Sequence, residues 1–480
     1  MRNIYKYINV VWIAAAMSCT KDITSLNVNP KVATSVPSET LYSNAQKNLM
    51  DQLETSDVNT NIFRLLSQQW TETTYTDEAR YNLGTRNIPE YWWDPYYRDV
   101  LRNLIEAKNL ITADDTYEDA QLKTNQLALI DILEVYSFSI LVDTYGDIPY
   151  TDALNIDNLQ PKYDDAATIY KDLLSRLDTD LTNIDASSGS FDAADLVYGG
   201  DVSKWVKFAN SLKLRLGMRL ADVDVTASKT AVESVDGKTF SSNDDNAIFQ
   251  YLSSPPNTNP IWADQVYTGR QDFVPANTLV DIMNGLNDPR IPYYFQLLPD
   301  STTYVGGTYG ASSPWPNYSH INPTIYEASF RGVLLDYAET EFYLAEAVER
   351  GYTVTGDAQT HYNNAITASI ISWGGSAADA TAYIATSAVN YTTATGDYKQ
   401  KIGTQKWIAS YDRGFEAWAE YRRLDQPTLN VVAHPEGDFP RRYTYPVSEQ
   451  NLNTANWSDA SKKITGGADV VTAKVFWDVH

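Results

Sequence analysis

Two acidic residues are the first candidates for chemistry in this 480-residue chain. Glu416 and Glu420 are four residues apart with Trp418 between them, so on a helix both carboxylates would lie on one face. Paired carboxylates and tryptophans occur in glycoside hydrolases, but catalytic acids usually converge from different elements. The spacing therefore favours an exposed helix face, or ion pairs with Arg422 and Arg423, over catalysis.

Other reactive constellations are missing from the sequence. The single cysteine, Cys19, excludes an intramolecular disulfide and a thiolate metal cluster, and none of the four histidines has a distinctive local context. There is no Gly-x-Ser-x-Gly elbow, Walker A loop, HExxH motif or complete EF-hand, although Asn243, Asp244 and Asp245 could weakly hold a calcium ion. We therefore expect a protein without cofactor or catalytic metal.

Aromatic residues on predicted loops are better candidates for function. The chain has 34 Tyr and 12 Trp against 13 Phe. A Trp or Tyr ring stacks on the C–H face of a sugar, while a nearby Asn, Asp or Arg binds the hydroxyls. Each single ring could equally pack in the core. The candidate ligand-binding residues are Tyr75, Arg80, Trp92, Trp93, Trp262, Tyr267, Tyr304, Tyr309, Trp315, Asn317 and Tyr318.

Trp315 is the strongest single candidate among these rings. Pro314 and Pro316 on either side of it predict an extended loop that offers no helix face on which the ring could be buried. Three glycines in the same loop are expected to expose the backbone: Gly306, Gly307 and Gly310.

The charge balance limits the class of ligand. With 37 basic and 61 acidic residues the formal net charge is −24, which would repel a phosphate backbone over most of the surface. Nucleic acid is therefore excluded as a partner, and acidic polysaccharides are modestly disfavoured.

The N-terminus has the pattern of an export signal. Arg2 and Lys6 precede an apolar run, which predicts a signal peptide over residues 1–18. Ala16-Met17-Ser18-Cys19 resembles the lipobox of bacterial lipoproteins, in which the cysteine is acylated; an ordinary signal peptide with an incidental cysteine is the alternative. Thr20-Lys21-Asp22 weakly resembles the charged signals that send lipoproteins to the cell surface, and residues 19–36 read as a polar tether.

Helical patterns dominate the rest of the chain, which predicts an all-α fold of tetratricopeptide-like hairpins in a single domain over residues 37–480. Long irregular loops are expected near residues 255–270 and 288–324, and loops of this length are usually functional. Leu334, Ala338 and Phe342 would form an apolar stripe on one helix. Helices are predicted over residues 38–53, 58–75, 91–113, 127–142, 166–181, 204–220, 331–350, 358–373, 378–386 and 398–422.

Six phrases, in order along the chain, carry a resemblance to a known family. From Cys19 to near its C-terminus the chain resembles the SusD/RagB-like nutrient-binding outer-membrane lipoproteins, in particular their starch-binding-associated branch. The phrases are Gln69-Trp70 with Tyr75 and Arg80-Tyr81; Tyr145 to Tyr150; Tyr198 to Asp201 leading through Trp205 to Arg215; Ala345-Glu346-Ala347; Gln405 to Ala409 with Glu416-Ala417-Trp418; and Pro440 to Arg442 with Tyr445-Pro446.

The resemblance implies helix pairs that support a loop-rich ligand face, no catalysis, and a SusC-like TonB-dependent outer-membrane transporter as partner. It implies a lipid-anchored protein, facing the cell exterior, that captures an oligosaccharide or polysaccharide. A peptide or other nutrient as ligand, a purely structural lid, and an α-helical glycoside hydrolase remain as alternatives. The basic residues of the shared phrases, such as Lys213, Arg215, Arg441 and Arg442, are expected to pair with carboxylates, and residues 145–150 to form a structural turn.

Overall fold

Helical hairpins make up most of the described chain. The computed structural model describes residues 36–464 and 466–480, and Ser38–His480 form one compact unit. The helices of these ranges are α1 Ser38–Glu54, α2 Phe63–Leu66, α3 Ile88–Pro95, α4 Arg102–Ala113, α5 Ala120–Tyr145, α6 Ala166–Asn183, α7 Val202–Arg219, α8 Val225–Ser234, α9 Asn277–Leu286, α10 Ile291–Tyr294, α11 Tyr337–Glu349, α12 Ala358–Ser372, α13 Ala377–Ile384, α14 Tyr398–Ala409, α15 Gly414–Leu424, α16 Val447–Leu452 and α17 Thr454–Lys463. None of them combines the length and the apolar character needed to cross a membrane.

Short strands tie the loops to this helical body. In the described ranges they pair two by two, and every pair is antiparallel: β1 with β5, β2 with β3, β4 with β8, and β6 with β7. The strands are β1 Trp70–Glu72, β2 Ile148–Pro149, β3 Tyr163–Asp164, β4 Ala247–Phe249, β5 Phe273–Pro275, β6 Phe295–Gln296, β7 His320–Ile321 and β8 Gly332–Leu335. The all-α prediction is therefore confirmed, with strands that fix loops and do not form a core.

Seven of the acidic residues are aspartates that cap the N-termini of helices. In each case an aspartate side chain accepts a hydrogen bond from a backbone N–H of the first helical turn, which satisfies a donor that the helix itself leaves without a partner. The negative charge also lies at the positive end of the helix dipole. The capping residues are Asp119, Asp165, Asp201, Asp224, Asp336, Asp357 and Asp397.

Most predicted helices are present, several of them longer than expected. The predicted helix over residues 127–142 lies inside α5, which is buried over most of its length. Gly146 ends it at a φ of +86°, and its N–H donates to the Val142 carbonyl. Ile148 and Pro149 then form β2, so the structural turn predicted here is confirmed.

Three predicted helices are wrong in part because long-range contacts override local pattern. Residues 58–75 hold only the single turn α2 and strand β1. Residues 332–335 of the predicted helix 331–350 pair with β4 as β8, so Leu334 is not on the predicted stripe. The predicted helix 398–422 breaks between α14 and α15, where Asp412 has a φ of +70° and accepts a 2.8 Å hydrogen bond from Arg64.

Buried ion pairs connect α7, α11, α14 and α15. Glu416 and Glu420 are buried, which corrects the exposed face, while the alternative of an ion pair with Arg423 is confirmed for Glu420. Arg219 donates to Glu416 at 2.9 Å and also to Glu420. Lys406 lies 2.8 Å from Glu420, and Arg423 bonds the same carboxylate at 2.7 Å. Arg215 and then Arg219 hold the pKa of Glu416 well below its usual range despite its burial, so this carboxylate is charged.

The expected pairing of basic residues with carboxylates is confirmed for Arg423, which bonds Glu346 and Glu420, and for four residues of the shared phrases. The pairs are Lys213 with Asp178, Arg215 with Glu339, Arg441 with Asp478, and Arg442 with Asp469. Arg422 differs: its guanidinium lies 3.3 Å from the centroid of the Trp418 ring and donates to main-chain carbonyls.

Replacing Glu420 by glutamine should destabilise the fold strongly. The variant keeps the shape of the side chain but leaves buried cationic neighbours without a counter-charge, and removal of one partner of such a network costs about 3–5 kcal/mol. We expect a loss of this size in the free energy of unfolding, measured with urea. Asp459→Asn, which removes an exposed carboxylate, should change it by less than about 0.5 kcal/mol. Equal small losses in both variants would contradict a structural role of the network.

Candidate functional site

Four loops meet at one end of the β1–β5 pair, and we call the surface they form the loop face. The loops span residues 73–82, 262–272, 304–318 and 430–437. Because β1 and β5 are antiparallel and Glu72 lies opposite Phe273, the chain leaving β1 runs beside the chain entering β5. Thr73 fixes this junction, since its N–H donates to the Asp272 carbonyl and its hydroxyl to the Gln271 carbonyl, both at 2.8 Å.

The third and fourth loops are attached to the first by further hydrogen bonds. The Ser312 hydroxyl donates to the Thr73 carbonyl at 2.8 Å, and Arg80 Nε donates to the Gly310 carbonyl at 2.8 Å. The Ala433 N–H donates to the Tyr309 carbonyl at 2.9 Å. Segments more than 350 residues apart, such as Arg80 and Glu436 at 3.1 Å, are therefore held in one surface.

The three loop glycines do not expose the backbone as predicted, because all are buried. They are needed for close approach. A Cβ on Gly306 would lie 2.5 Å from the Asn277 Cα, and one on Gly310, which has a φ of +80°, would lie 2.6 Å from a Val432 methyl group. The absence of a Cβ at these positions lets the third loop approach its neighbours this closely.

Two tyrosines are the most accessible aromatic rings of the loop face. Tyr75 is 73% exposed and Tyr267 is 74% exposed. The Trp262 ring lies 5.5 Å from that of Tyr267, at the two ends of a single π-helical turn, and is half-buried. Asn317 is exposed, while Tyr304 and Tyr318 are half-buried. These aromatic and amide groups therefore lie on loops that backbone hydrogen bonds join, and their part in ligand binding stays a prediction.

Trp315 is half-buried and is held in place by a stacked histidine. Residues 315–317 form one 3₁₀ turn, which corrects the predicted extended conformation. The indole stacks on the His320 imidazole with a centroid distance of 3.4 Å and an interplanar angle of 11°. Burial lowers the pKa of His320, so the imidazole is neutral at pH 7. The exposed part of the indole is therefore presented in a fixed orientation.

Three predicted ligand-binding rings lie in the core. Trp92 is fully buried on α3 and donates from Nε1 to the Thr144 hydroxyl at 3.2 Å, and Trp93 packs edge-on against Tyr145 at 4.8 Å. Tyr309 is buried and donates to the Leu65 carbonyl at 2.8 Å. Their large apolar area is buried inside the protein, so these rings stabilise the fold and are not exposed on the loop face.

A charged pair beside Tyr75 was missed by sequence reasoning. Arg270 and Asp272 form a 2.5 Å ion pair directly before β5. The bond to Asp272, and to a smaller extent Tyr75, raises the pKa of Arg270. The sequence signal for this pair is the close spacing of opposite charges, Arg270 and Asp272, directly before the apolar strand β5. Arg80, by contrast, serves mainly to join loops through Gly310 and Glu436.

Two buried glutamates close the loop that carries Tyr75. Glu72 accepts a 3.0 Å hydrogen bond from the Ala79 N–H, and Glu78 accepts one of 2.5 Å from Arg86. The second oxygen of Glu78 is buried without a hydrogen-bond partner in the described chain. Burial and the neighbouring Glu78 raise the pKa of Glu72 to about 10, so Glu72 keeps its proton at neutral pH.

The residues of the weak calcium motif have protein partners. Asp245 lies 2.8 Å from Lys207, and the Asn243 amide donates to the Ala368 carbonyl at 3.0 Å. In residues 36–464 and 466–480 no group of three or more acidic, histidine or cysteine side chains is arranged to hold a metal ion.

Replacing Glu72 by glutamine should flatten the pH dependence of stability. Because the folded-state pKa of Glu72 is raised above its ordinary 4.5, the folded protein binds a proton that the unfolded chain releases. The contribution of Glu72 to the free energy of unfolding is therefore complete below about pH 4.5 and is lost as the pH rises toward 10. We expect urea unfolding at pH 6, 7.5 and 9 to show a smaller decline in Glu72→Gln than in the unmodified protein.

The control for this experiment is Glu118→Gln, which removes an exposed carboxylate from another loop. Its stability should decline with pH in parallel with the unmodified protein. A parallel decline in Glu72→Gln as well would contradict the raised pKa of Glu72 in the folded protein.

Comparison with known proteins identifies the family of this fold. Residues 30–446 match a family model, SusD-like_2, described as starch-binding associating with outer membrane. Similar structures include a chitin-binding protein, with 25% identity, a TM-score of 0.79, and coverage of 92% of this chain and 100% of that one. Another is a chitin-binding SusD homologue from Flavobacterium johnsoniae, with 27% identity, a TM-score of 0.77, and coverage of 92% and 98%.

A SusD homologue from Bacteroides uniformis is also similar, with 27% identity, a TM-score of 0.74, and coverage of 92% of this chain and 99% of that one. No curated protein matches the sequence. The family match spans most of the chain and agrees with the resemblance found in the six sequence phrases. The chain therefore belongs to the SusD-like family of starch-binding proteins that associate with the outer membrane.

Proposed function

We propose that this protein is a lipid-anchored cell-surface protein that captures oligosaccharides on its loop face and passes them, uncleaved, to a SusC-like TonB-dependent transporter. The single observation that carries the proposal is the presence of exposed Tyr75 and Tyr267, with half-buried Trp315, on loops joined at one end of the β1–β5 pair. Family membership supports glycan binding and association with the outer membrane. Transfer to a transporter rests on the family resemblance.

The chemistry of the loop face suits sugar rings. Aromatic planes bind the apolar C–H faces, and polar groups such as Asn317 and Arg270 are within the same surface to bind hydroxyls. The backbone hydrogen bonds between loops are made before ligand arrives, so little conformational entropy is lost on binding. Neutral glycans such as starch and chitin oligosaccharides are the first ligands to test, because two similar structures are described as chitin-binding.

The environment of Glu416 and Glu420 supports capture without cleavage. These are the paired carboxylates that the sequence offered as a catalytic candidate. Glu416 and Glu420 are buried and bound to Arg219. A glycosidase pair must flank a sugar, with one of its carboxyls protonated as the acid. The low pKa of Glu416 and its ion pairs are opposed to that role.

Binding to a panel of soluble polysaccharides tests the proposal. The mature protein without its anchor should be retained by at least one polymer while no new reducing ends appear. Tyr75→Ala and Trp315→Ala should each weaken binding by about 1–3 kcal/mol, since each removes a stacking ring without opening the core. Affinity electrophoresis with a reducing-end assay measures both effects together.

Tyr91→Ala is the matched control, because Tyr91 is an exposed ring on α3, outside the loop face. It should bind as the unmodified protein does. Release of reducing ends would favour an enzyme. If Tyr75→Ala and Trp315→Ala are both retained by the polysaccharide as strongly as the unmodified protein, the loop face is not the glycan site. If no polysaccharide retains the unmodified protein, a peptide ligand or a structural lid is favoured.

The anchor is proposed from sequence, since Cys19 lies outside the described residues. Acylation of this cysteine would hold the protein at the membrane, and the acidic surface would add no attraction to anionic lipids. In cells, Cys19→Ala should move the protein from the membrane fraction to the soluble fraction, measured by fractionation and blotting. A mutant that stays in the membrane fraction would contradict acylation.

A further inference from the structure

A cleft of about 280 Å³ lies beside the loop face. Its walls come from the end of α12, from α10, and from the chain between β7 and β8. The segment Pro323–Tyr326 on this wall packs against the π-helical turn of Trp262 and Tyr267. Asn322 follows β7, whose His320 supports Trp315. The cleft therefore adjoins the loop face through the segment Pro323–Tyr326 and through β7.

Arg331 is the unusual residue of the cleft. One terminal nitrogen donates to the Ser372 carbonyl at 2.6 Å and to the Ser372 hydroxyl at 3.0 Å. In the described part of the chain no carboxylate forms an ion pair with Arg331, and no hydrogen bond reaches its other nitrogens. Burial lowers the pKa of Arg331, in keeping with a guanidinium that has no direct ion pair in the described chain.

Arg331 differs from most other arginines of the described chain, which form ion pairs with carboxylates. Carboxylate partners are present for Arg64, Arg215, Arg219, Arg290, Arg413, Arg423 and Arg442. Arg422 also has no carboxylate partner in the described chain, but it is fully buried against the rings of Trp418 and Trp477 and takes no part in the cleft. Arg331 is only half-buried and lines an open cleft.

The acidic residues nearest to Arg331 are already bound by other cations. Asp412 and Glu54 bond Arg64 at 2.8 and 3.2 Å, and Asp336 bonds Arg413 at 3.2 Å. Burial also raises the pKa of Glu54 well above its ordinary value, which reduces the negative charge of this group. The Arg331 guanidinium at the wall of the cleft therefore keeps donor nitrogens to which no carboxylate of the described chain is bonded.

The remaining walls can hold a sugar ring. Trp373 is half-buried, and the Arg331 guanidinium lies 5.9 Å from the centroid of its ring. Tyr293 supplies a second ring. Gln250 is held by its amide nitrogen, which donates to the Ser329 carbonyl at 2.6 Å. Glu327 at the cleft is exposed, so water and salt weaken its repulsion of an anion.

We propose that this cleft binds the carboxylate of a hexuronate residue, with Arg331 as its cationic partner and Trp373 as the platform for the ring. A neutral sugar would remove water from the guanidinium without supplying a counter-charge, whereas a carboxylate replaces that water with a charge-assisted, two-pronged contact. The overall negative charge of the protein opposes this only weakly, because charges beyond about 8 Å are screened at physiological salt. The inference rests on the proposed glycan-binding function and names a substrate class for it.

Calorimetric titration with charge-matched ligands tests the inference. The probes are trigalacturonate, a glucuronate disaccharide, and the methyl ester of each, which removes the charge with little change in shape. At least one acid should bind the unmodified protein about tenfold or more tightly than its ester. Arg331→Gln should abolish this preference and leave the affinity for the ester within about twofold, while Arg331→Lys keeps part of it.

Arg98→Gln is the control, because it removes the same charge from an exposed side chain on the π-helical turn after α3. It should keep the full preference for the acid. Thermal unfolding verifies that each variant is folded, and a folded Arg331→Lys decides the outcome if Arg331→Gln does not fold. Equal binding of acid and ester, no binding of either acid, or a preference that survives in the folded Arg331 variants would each overturn the inference.

Failure of this inference is distinguishable from failure of the proposed function. A protein that is retained by a neutral polysaccharide through Tyr75, but does not distinguish acid from ester, would lose only the hexuronate site. A protein that prefers the acid through Arg331, but is unaffected by Tyr75→Ala, would keep the cleft and lose the loop face.

Discussion

Charge pairing inside the helical body is the interaction on which the ligand face depends. Arg219 and its acidic partners hold the hairpin of α14 and α15 against α7. The turn of that hairpin in turn holds β1 and the short helix before it: Trp70 donates to the Tyr411 hydroxyl at 3.1 Å, and Arg64 bonds Asp412 at 2.8 Å. Since two loops of the loop face adjoin β1 and β5, the buried charges set the position of a surface that they do not touch.

Charged and aromatic side chains therefore have separate tasks in this protein. Buried charges and capping aspartates define the helical body, while tyrosine and tryptophan are shared between core and loops. On the loop face, close backbone approach at Gly306 and Gly310 and the stack of Trp315 on His320 limit motion before ligand binds. A stiff, aromatic surface with an adjoining cationic cleft is suited to a chain of sugar rings, because several weak stacking contacts act together without a large ordering cost.

Much of the helical body could be predicted from sequence, because helix periodicity and Asp caps are local signals; α6, α7 and α12 start within two residues of the expected positions. The strands could not be predicted, since β1 pairs with a segment about 200 residues away. Composition also could not separate Trp93 from Tyr75, because the same ring chemistry serves a core and a sugar platform. The burial of Glu416 was missed for a related reason: its cationic partner Arg219 lies on a distant helix.

The most direct measurement is hydrogen–deuterium exchange, followed by mass spectrometry, on the protein with and without a polysaccharide that retains it. If the loop face binds glycan, exchange should slow in residues 73–82, 262–272 and 304–318 and stay unchanged in α14 and α15. The buried helices then serve as an internal reference, because their amides are already protected. Protection confined to other surfaces, or none at a saturating concentration of the polysaccharide, would contradict the account.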